Sequence, residues 1–262
     1  MNARLGLIGH DISYSKSPLI HRYMGKKLKI ELTYDLLEVE ADEIPDLIDE
    51  LRHGIYQGFN VTIPYKESMI QYVDQLTPKA KLIQAVNTIY MKNGLVIGAN
   101  TDYDGFEGLL EKNNLNVKSK NVYILGSGGA AKAVYHVLKD LGANVSVVTR
   151  NIAHKDDYFE HVIEYRDINP ESVDIYVQAT PIGTYPDVNV SVLTREEVEG
   201  KTVIDLVYNP LETQIMKDSK KGIGGISMLI IQALKSEEIW FEQEIELTDQ
   251  LMKQLKEVIL DE

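Results

Sequence analysis

Residues 121–134, NVYILGSGGAAKAV, decide the fold of this chain. An apolar run with strand character leads directly into a glycine-rich turn, and an alanine-rich segment typical of a helix follows. A G-x-G-x-x-A pattern between a strand and a helix is typical of a dinucleotide-binding βαβ unit. Gly126 would make the tight turn, Gly128 would let the backbone approach a pyrophosphate, and Ala131 would allow close helix–strand packing. The predicted cofactor contacts of this turn are Gly126, Ser127, Gly128, Gly129 and Ala130.

The next predicted strand, NVSVVTRN, decides which dinucleotide is expected. It ends about 20 residues after the glycine-rich turn, where a protein that binds NAD places an acidic residue on the ribose 2′-hydroxyl. This chain has Thr149, Arg150 and Asn151 there instead. A carboxylate would repel a 2′-phosphate, whereas a guanidinium binds one. We therefore predict NADP as the cofactor, with an exposed surface charge as the alternative for Arg150.

Composition limits the classes of partner. The chain has 262 residues, 44% of them hydrophobic, and a net charge of −13. That charge repels polyanions, so we expect no nucleic acid and no membrane surface as partner, but a small-molecule substrate. There is no cysteine, and the histidines lack metal-ligand spacing, so no metal site is predicted. With neither a signal peptide nor an apolar run long enough to span a membrane, a cytoplasmic protein is expected. The oligomeric state, monomer or homodimer, stays open.

Strand and helix patterns alternate along the whole chain, which predicts an α/β protein with mostly parallel sheets. The exception is NTIYMKNGLVIGAN, where Asn93-Gly94 predicts a hairpin turn. We expect two domains: residues 1–104, an α/β domain that holds the substrate, and residues 105–235, a Rossmann-type NADP-binding domain. The amphipathic tail within 236–262 is expected to pack back on the first domain. The active site would lie in the cleft between the two domains.

The serine-rich loop HDISYSKSPLIHRY, residues 10–23, allows several interpretations. Its serines could cap a helix, bind a phosphate, act as a nucleophile or bind another anion. Ser13 and Lys16 match an S-x-x-K motif, but the S-D-N and K-T-G elements that accompany it in serine acyltransferases do not occur. Ser17 before Pro18 fits a helix N-cap as well as an anion ligand, and both roles can coexist.

Eight motifs occur in the order found in shikimate dehydrogenases, and the resemblance covers nearly the whole chain. They are YSKSP, GFNVTIPYKE, AVNT, GANTDYDG, GSGGAA, QATPIG, DLVYNPLET and GGISMLIIQA. The resemblance implies an oxidoreductase that uses NADP to reduce 3-dehydroshikimate reversibly to shikimate, a step of aromatic amino-acid biosynthesis. Two alternatives remain: a quinate/shikimate dehydrogenase of broader specificity, and a catalytically silent NADP-binding regulatory protein.

The resemblance also implies roles for individual residues. Lys66 would be the general acid and base, with Asp102 as its partner; a solvated lysine and a helix cap are the alternatives. The serine loop would bind the substrate carboxylate. The implied substrate ligands are Ser15, Ser17, Asn60, Thr62, Lys66, Asn87, Asp102, Tyr208 and Gln232. Thr180, Leu206, Gly225 and Met228 would line the nicotinamide.

Two features of the motifs bear on the site. Pro64 fits the start of a helix over residues 65–76, which would place Lys66 in a first turn where the macrodipole disfavours an ammonium group. QATPIG has Gln178 where the family usually has asparagine. The sequence offers no physical consequence for that difference.

Overall fold

The computed structural model describes residues 2–150, 152 and 158–261, and these residues form two units. The first unit extends to Gly105 and resumes at Ile230, and the second unit comprises Phe106–Leu229. Each unit is built on a six-stranded sheet. This α/β architecture with mostly parallel sheets confirms the predicted fold class.

The sheet of the first unit has the strand order β2-β1-β3-β5-β6-β4. Strands β1–β2, β1–β3 and β4–β6 pair in parallel, whereas β5 is antiparallel to both β3 and β6. The strands are β1 (Asn2–Gly9), β2 (Glu31–Glu38), β3 (Gly58–Val61), β4 (Gln75–Leu76), β5 (Thr88–Lys92) and β6 (Leu95–Ala99). The helices are α1 (Ser17–Leu28), α2 (Ile44–Arg52), α3 (Pro78–Ile83), the start of α4 (Asp102–Lys112), most of α8 (Ile226–Phe241) and α9 (Asp249–Leu260).

The antiparallel part of this sheet comes from the predicted hairpin. Asn93 and Gly94 both have positive φ angles, 53° and 78°, as a two-residue turn of type I′ requires. The turn reverses the chain between β5 and β6, so that Thr88 pairs with Ala99. As a result, Asn87 before β5 and Thr101 after β6 lie side by side at one edge of the sheet.

The segment after β3 differs from the prediction. Residues 65–76 do not form an α-helix: turns lead into a 3₁₀ helix at Ser68–Tyr72, and β4 follows. The Lys66 carbonyl accepts a hydrogen bond from the Val86 N–H (2.7 Å) instead of from a residue four positions further along. Lys66 therefore lies in a turn, and the prediction that placed it in the first turn of a helix is wrong.

The second unit has an all-parallel sheet in the order β12-β11-β10-β7-β8-β9. Numbered from β7 within the unit and read from the opposite edge, this order is 3-2-1-4-5-6, that of a Rossmann fold. Its strands are β7 (Asn121–Leu125), β8 (Asn144–Thr149), β9 (Val162–Glu164), β10 (Ile175–Gln178), β11 (Thr202–Asp205) and β12 (Lys221–Gly224). Its helices include α5 (Gly129–Asp140), α6 (Arg195–Val198) and α7 (Gln214–Asp218).

The last helix, α9, packs on α1, as the sequence predicted. Thr248 caps α9, since its hydroxyl accepts a hydrogen bond from the Leu251 N–H (3.1 Å). The apolar face of α9 is buried through Leu251, Met252, Leu255 and Ile259.

A buried polar pair ties α1 to α8. His21 Nδ1 lies 2.7 Å from Glu237 Oε1, and both side chains are 0% exposed. The His21 ring stacks on Tyr34, with 4.4 Å between the ring centroids. The remaining His21 Nε2 and Glu237 Oε2 have no hydrogen-bond partner in the part of the chain that the structure describes. Burial raises the pKa of Glu237, although the hydrogen bond with His21 opposes that rise.

Candidate active site

Lys66 and Asp102 form the centre of the candidate site in the first unit. Lys66 Nζ lies 2.7 Å from Asp102 Oδ2, and the two side chains are 16% and 6% exposed. Asp102 is the first residue of α4, and its N–H donates to Asn100 Oδ1 (3.0 Å). The lysine is therefore neither solvated nor unpaired, and the carboxylate is engaged with the ammonium group.

Asn87 orients the carboxylate of Asp102. Its Nδ2 donates to the second carboxylate oxygen, Asp102 Oδ1 (2.9 Å), while its Oδ1 accepts from the Thr101 N–H (2.8 Å). Because that N–H can only donate, it determines which end of the amide faces Asp102. The Asn87 side chain is 2% exposed. Both oxygens of Asp102 thus have a donor from the protein.

Asn60 bonds to the carbonyl of Asn87, and its amide oxygen and nitrogen are both hydrogen-bonded within the protein. Its Oδ1 accepts from the Tyr34 hydroxyl (2.8 Å), and its Nδ2 donates to the Asn87 carbonyl (3.1 Å) and to Ser236 Oγ (3.0 Å).

Ser236 is a residue that the sequence analysis missed. Besides Asn60, it contacts Thr88 Oγ1 (2.8 Å), and its own hydroxyl donates to the Gln232 carbonyl (3.0 Å). It is 0% exposed. The available signal was its spacing: Ser236 follows Gln232 by four residues on α8, so the two lie on one face of the helix.

The serine loop leads into α1 at Ser17. Lys16 occupies the N-cap position without a side-chain cap, and Pro18 lies in the first turn. The interpretation of Ser17 as an N-cap is therefore wrong. Instead, the Ser17 N–H donates to Ser15 Oγ (3.3 Å), which holds the two residues together at the helix N-terminus. Thr62 follows β3, where its N–H donates to the Ile8 carbonyl (2.9 Å) and its side chain is half-buried.

In the second unit, the glycine-rich turn has the conformation that the sequence predicted. Gly126 has φ = 110°, and a Cβ there would lie 2.8 Å from Thr180 Cγ2, so a side chain is excluded on two grounds. A Cβ on Gly128 would meet nothing within 4 Å. Gly128 is the N-cap of α5, and Ala131 is fully buried. Gly129 and Ala130 begin α5, and Ser127 is exposed.

Arg150 follows the last residue of β8, Thr149, and is exposed. The charge of Arg150 affects Tyr165. Burial raises the pKa of the Tyr165 hydroxyl, and the Arg150 guanidinium opposes that rise. Asn151, the third predicted contact of this strand, lies outside the described residues.

A close backbone approach organises the loop after β11. Gly225 is buried against the backbone of Leu206, where a Cβ would overlap the Leu206 carbonyl. Met228 is buried on α8, while Thr180 and Tyr208 are half-buried in their loops. Gln232, assigned to the first unit, is also half-buried.

Asp205, at the end of β11, is a second residue that the sequence analysis missed. Its Oδ1 accepts from the Val207 N–H (2.9 Å) and its Oδ2 from the Thr213 hydroxyl (2.6 Å). These bonds close the loop that carries Leu206 and Tyr208. Burial raises the pKa of Asp205 to about 6 despite both hydrogen bonds. The signal in the sequence was an aspartate at the carboxyl end of a buried strand.

Nowhere in 2–150, 152 and 158–261 do three potential metal ligands cluster. Within the same residues, no helix has the length and apolar character needed to cross a membrane.

The second unit, with its strand order and glycine-rich turn, defines a dinucleotide-binding protein of the Rossmann class. Residues 7–89 match the family model described as the shikimate dehydrogenase substrate binding domain. A shikimate dehydrogenase (NADP(+)) of Clostridium beijerinckii is 40% identical over 267 residues, which cover 98% of both chains. The chain belongs to the shikimate dehydrogenase family.

Solved structures of shikimate dehydrogenases resemble this chain over nearly its whole length. Shikimate dehydrogenase 1 from Peptoclostridium difficile has a TM-score of 0.91 at 35% identity, covering 99% of this chain and 98% of its own. The shikimate 5-dehydrogenase of Thermus thermophilus, in complex with NADP(H) and shikimate, has a TM-score of 0.86 at 27% identity. That match covers 98% of this chain and 100% of the other.

Proposed function

We propose that this protein is an NADP-dependent shikimate dehydrogenase that reduces 3-dehydroshikimate reversibly to shikimate. The observation that carries the proposal is the partly buried pair of Lys66 and Asp102, joined at 2.7 Å. An ammonium group held by a carboxylate can deliver a proton to a ketone oxygen and recover it from the alcohol. The resemblance, the family and the relatives all agree with this reaction.

Lys66 acts as general acid in the direction of reduction. Its Nζ gives a proton to the carbonyl oxygen as the carbonyl carbon receives a hydride, and the ketone becomes a secondary alcohol. In the reverse direction, the neutral amine accepts the hydroxyl proton. Asp102 keeps Nζ in place through both steps, and Asn87 holds Asp102. Bound NADP supplies or accepts the hydride.

The second unit has the features that NADP requires. The open space at Gly128 accommodates a close approach of phosphate, and the first N–H groups of α5 can donate to it. Arg150 offers a guanidinium for the 2′-phosphate, together with Thr149 and Asn151 of the same segment. Thr180, Leu206, Gly225 and Met228 remain our proposed contacts of the nicotinamide.

Ser15 and Ser17 are proposed to bind the substrate carboxylate. Their hydroxyls lie at the N-terminus of α1, where the helix dipole favours an anion. The ring hydroxyls would contact Thr62, Asn87 and Gln232, and Tyr208 would complete the pocket. Asn87 bonds directly to Asp102, whereas Asn60 bonds to the Asn87 carbonyl, so we propose Asn60 as support of Asn87 and not as a substrate ligand.

The first unit is accordingly proposed as the substrate-binding domain and the second as the NADP-binding domain. We propose a cytoplasmic location on the basis of the biosynthetic role.

One assay tests the proposal: shikimate and quinate are each offered with NADP⁺ and with NAD⁺, and the rise in absorbance of the reduced cofactor is followed. We expect turnover with shikimate and NADP⁺ to exceed the other three combinations. Equal turnover of quinate would indicate the dehydrogenase of broader specificity. No turnover, with NADP⁺ still bound, would indicate a regulatory protein and contradict the proposal.

A further inference from the structure

Gln178, the last residue of β10, directs its whole amide group to the loop that follows. Its Oε1 accepts from the Thr180 N–H (3.2 Å) and from the Thr180 hydroxyl (2.9 Å). Its Nε2 donates to the carbonyl of Ile182 (3.2 Å). The residue is 1% exposed. Three polar groups of a four-residue loop are therefore satisfied by one buried side chain.

The backbone around Gln178 connects three strand ends. The Gln178 carbonyl accepts from the Leu206 N–H (3.0 Å) after β11, and the Ala179 N–H donates to the Leu125 carbonyl (2.9 Å) at the end of β7. In open parallel sheets, ligands bind at the carboxyl ends of the strands. Gln178 lies beneath this edge, between the glycine-rich turn after β7 and the loop that carries Leu206.

Thr180 connects Gln178 to the glycine-rich turn. A Cβ on Gly126 would lie 2.8 Å from Thr180 Cγ2 and 3.3 Å from the Ala179 carbonyl oxygen. The methyl group of Thr180 thus occupies the space that a side chain at position 126 would need. Any displacement of Thr180 changes the surface against which the Gly126 turn packs.

We propose that Gln178 is a positioning residue for the cofactor: it holds Thr180 against Gly126 and so fixes the shape of the NADP-binding edge. The proposal rests on the proposed function, because it assumes that this edge binds NADP. Gln178 need not touch the cofactor. It acts through the loop of residues 179–182.

The chemistry of the position restricts which side chain can do this. An amide supplies an acceptor for Thr180 and a donor for Ile182. Leucine has a similar shape but would leave all three loop groups without their partner. Glutamate would accept from Thr180 but would present a carboxylate oxygen to the Ile182 carbonyl. Asparagine has the same groups on a chain one methylene shorter, so it can retain only part of the set.

The experiment compares two dissociation constants of each variant, for NADP⁺ and for shikimate, by isothermal titration calorimetry. Gln178→Leu is expected to raise the dissociation constant for NADP⁺ about tenfold or more and to change that for shikimate less than about twofold. Asn121→Leu is the matched control. It removes an amide that donates to the Ser172 carbonyl (2.8 Å) at the amino end of β7, and it should change neither constant.

Two further variants keep the test decisive if Gln178→Leu folds poorly. Gln178→Asn should weaken NADP⁺ binding by a smaller factor, about two- to fivefold. Thr180→Val removes the hydroxyl through which Gln178 acts, so in the Gln178→Asn/Thr180→Val double variant the two losses should be less than additive. Additive losses would overturn the proposal, and so would equal weakening of shikimate and NADP⁺ or unchanged NADP⁺ binding.

Failure of the proposed function is a separate result. It would appear in the wild-type protein, as an absence of NADP⁺ binding or of shikimate oxidation, before any variant is compared.

Discussion

Lys66 Nζ lies 2.7 Å from Asp102 Oδ2, although 36 residues separate the two in the chain. The pair is formed because Lys66 lies in the turn after β3 and Asp102 begins α4 after β6, at the same edge of the first sheet. The second oxygen of Asp102 accepts from Asn87. Asp102 therefore holds Lys66 in place, and Asn87 holds Asp102 in place. A positioned proton donor needs such an arrangement.

Lys66→Ala should reduce turnover by about 10² to 10⁴, the usual contribution of a positioned acid–base group, while shikimate still binds measurably. Steady-state kinetics and calorimetric titration with shikimate measure the two effects. Lys79→Ala is the matched control, because Lys79 forms an equally short pair with Asp104 (2.7 Å) in the same unit. If Lys66→Ala keeps more than about a tenth of wild-type turnover, Lys66 is not the proton carrier.

Ser15→Ala should raise the Michaelis constant for shikimate and leave the dissociation constant for NADP⁺ unchanged. A hydrogen bond to a charged group contributes about 1.5–3 kcal/mol, so a rise of about 10- to 150-fold is expected. Ser13→Ala, an exposed serine of the same loop, serves as the control. An equal loss of NADP⁺ affinity would mean that the loop binds a phosphate of the cofactor instead.

Arg150→Ala should weaken NADP⁺ far more than NAD⁺. The 2′-phosphate carries nearly two negative charges and approaches a protein of net charge −13, so a local cation is needed. Loss of the Arg150 guanidinium should weaken the free energy of NADP⁺ binding by about 1.5–3 kcal/mol. Titration of both cofactors into wild type, Arg150→Ala and the exposed control Arg166→Ala gives the ratio of the effects. Equal losses for the two cofactors would show that Arg150 does not recognise the 2′-phosphate.

Asp205→Asn should change how stability depends on pH. The folded protein holds the Asp205 proton with a pKa of about 6, above the ordinary value of 3.8, so folding takes up a proton between these values. The contribution of Asp205 is therefore fully favourable below about pH 4 and is lost as the pH rises through 6. Relative to wild type, Asp205→Asn should become more stable across that window by on the order of 2–3 kcal/mol.

Urea denaturation at several pH values between 4 and 8 measures this difference. The exposed Asp167→Asn is the control and should show no such change. A constant stability difference between Asp205→Asn and wild type over the whole range would contradict the prediction.

Glu237→Leu should lower the free energy of unfolding by about 1–3 kcal/mol, because His21 Nδ1 loses its hydrogen bond to Glu237 while fully buried. Glu237→Gln retains an acceptor of the same shape and should cost less. Chemical denaturation of the two variants compares them directly. If they lose equal stability, the hydrogen bond between His21 and Glu237 does not hold α1 to α8.

Much of the fold follows from local patterns in the sequence. The serine loop leads into a helix, α1, Ser17–Leu28, and Asn93-Gly94 forms the expected turn. The glycine-rich turn also needs only local information, since its requirements are a positive φ angle and a missing side chain at Gly126. The roles of the serines, Lys66 and Asp102 were predicted from the family resemblance, and that of Arg150 from its position about 20 residues after the glycine-rich turn.

Tertiary structure decided what depends on partners far apart in the chain. The helix predicted over 65–76 did not form because the Lys66 carbonyl bonds to Val86 across the sheet edge. Ser236 reaches Asn60 over a separation of 176 residues, and the buried pair of His21 and Glu237 spans 216. Such contacts exist only once the sheets bring distant strands and helices together. Periodicity in the sequence reports which face of an element is buried, but it does not report which polar groups meet inside.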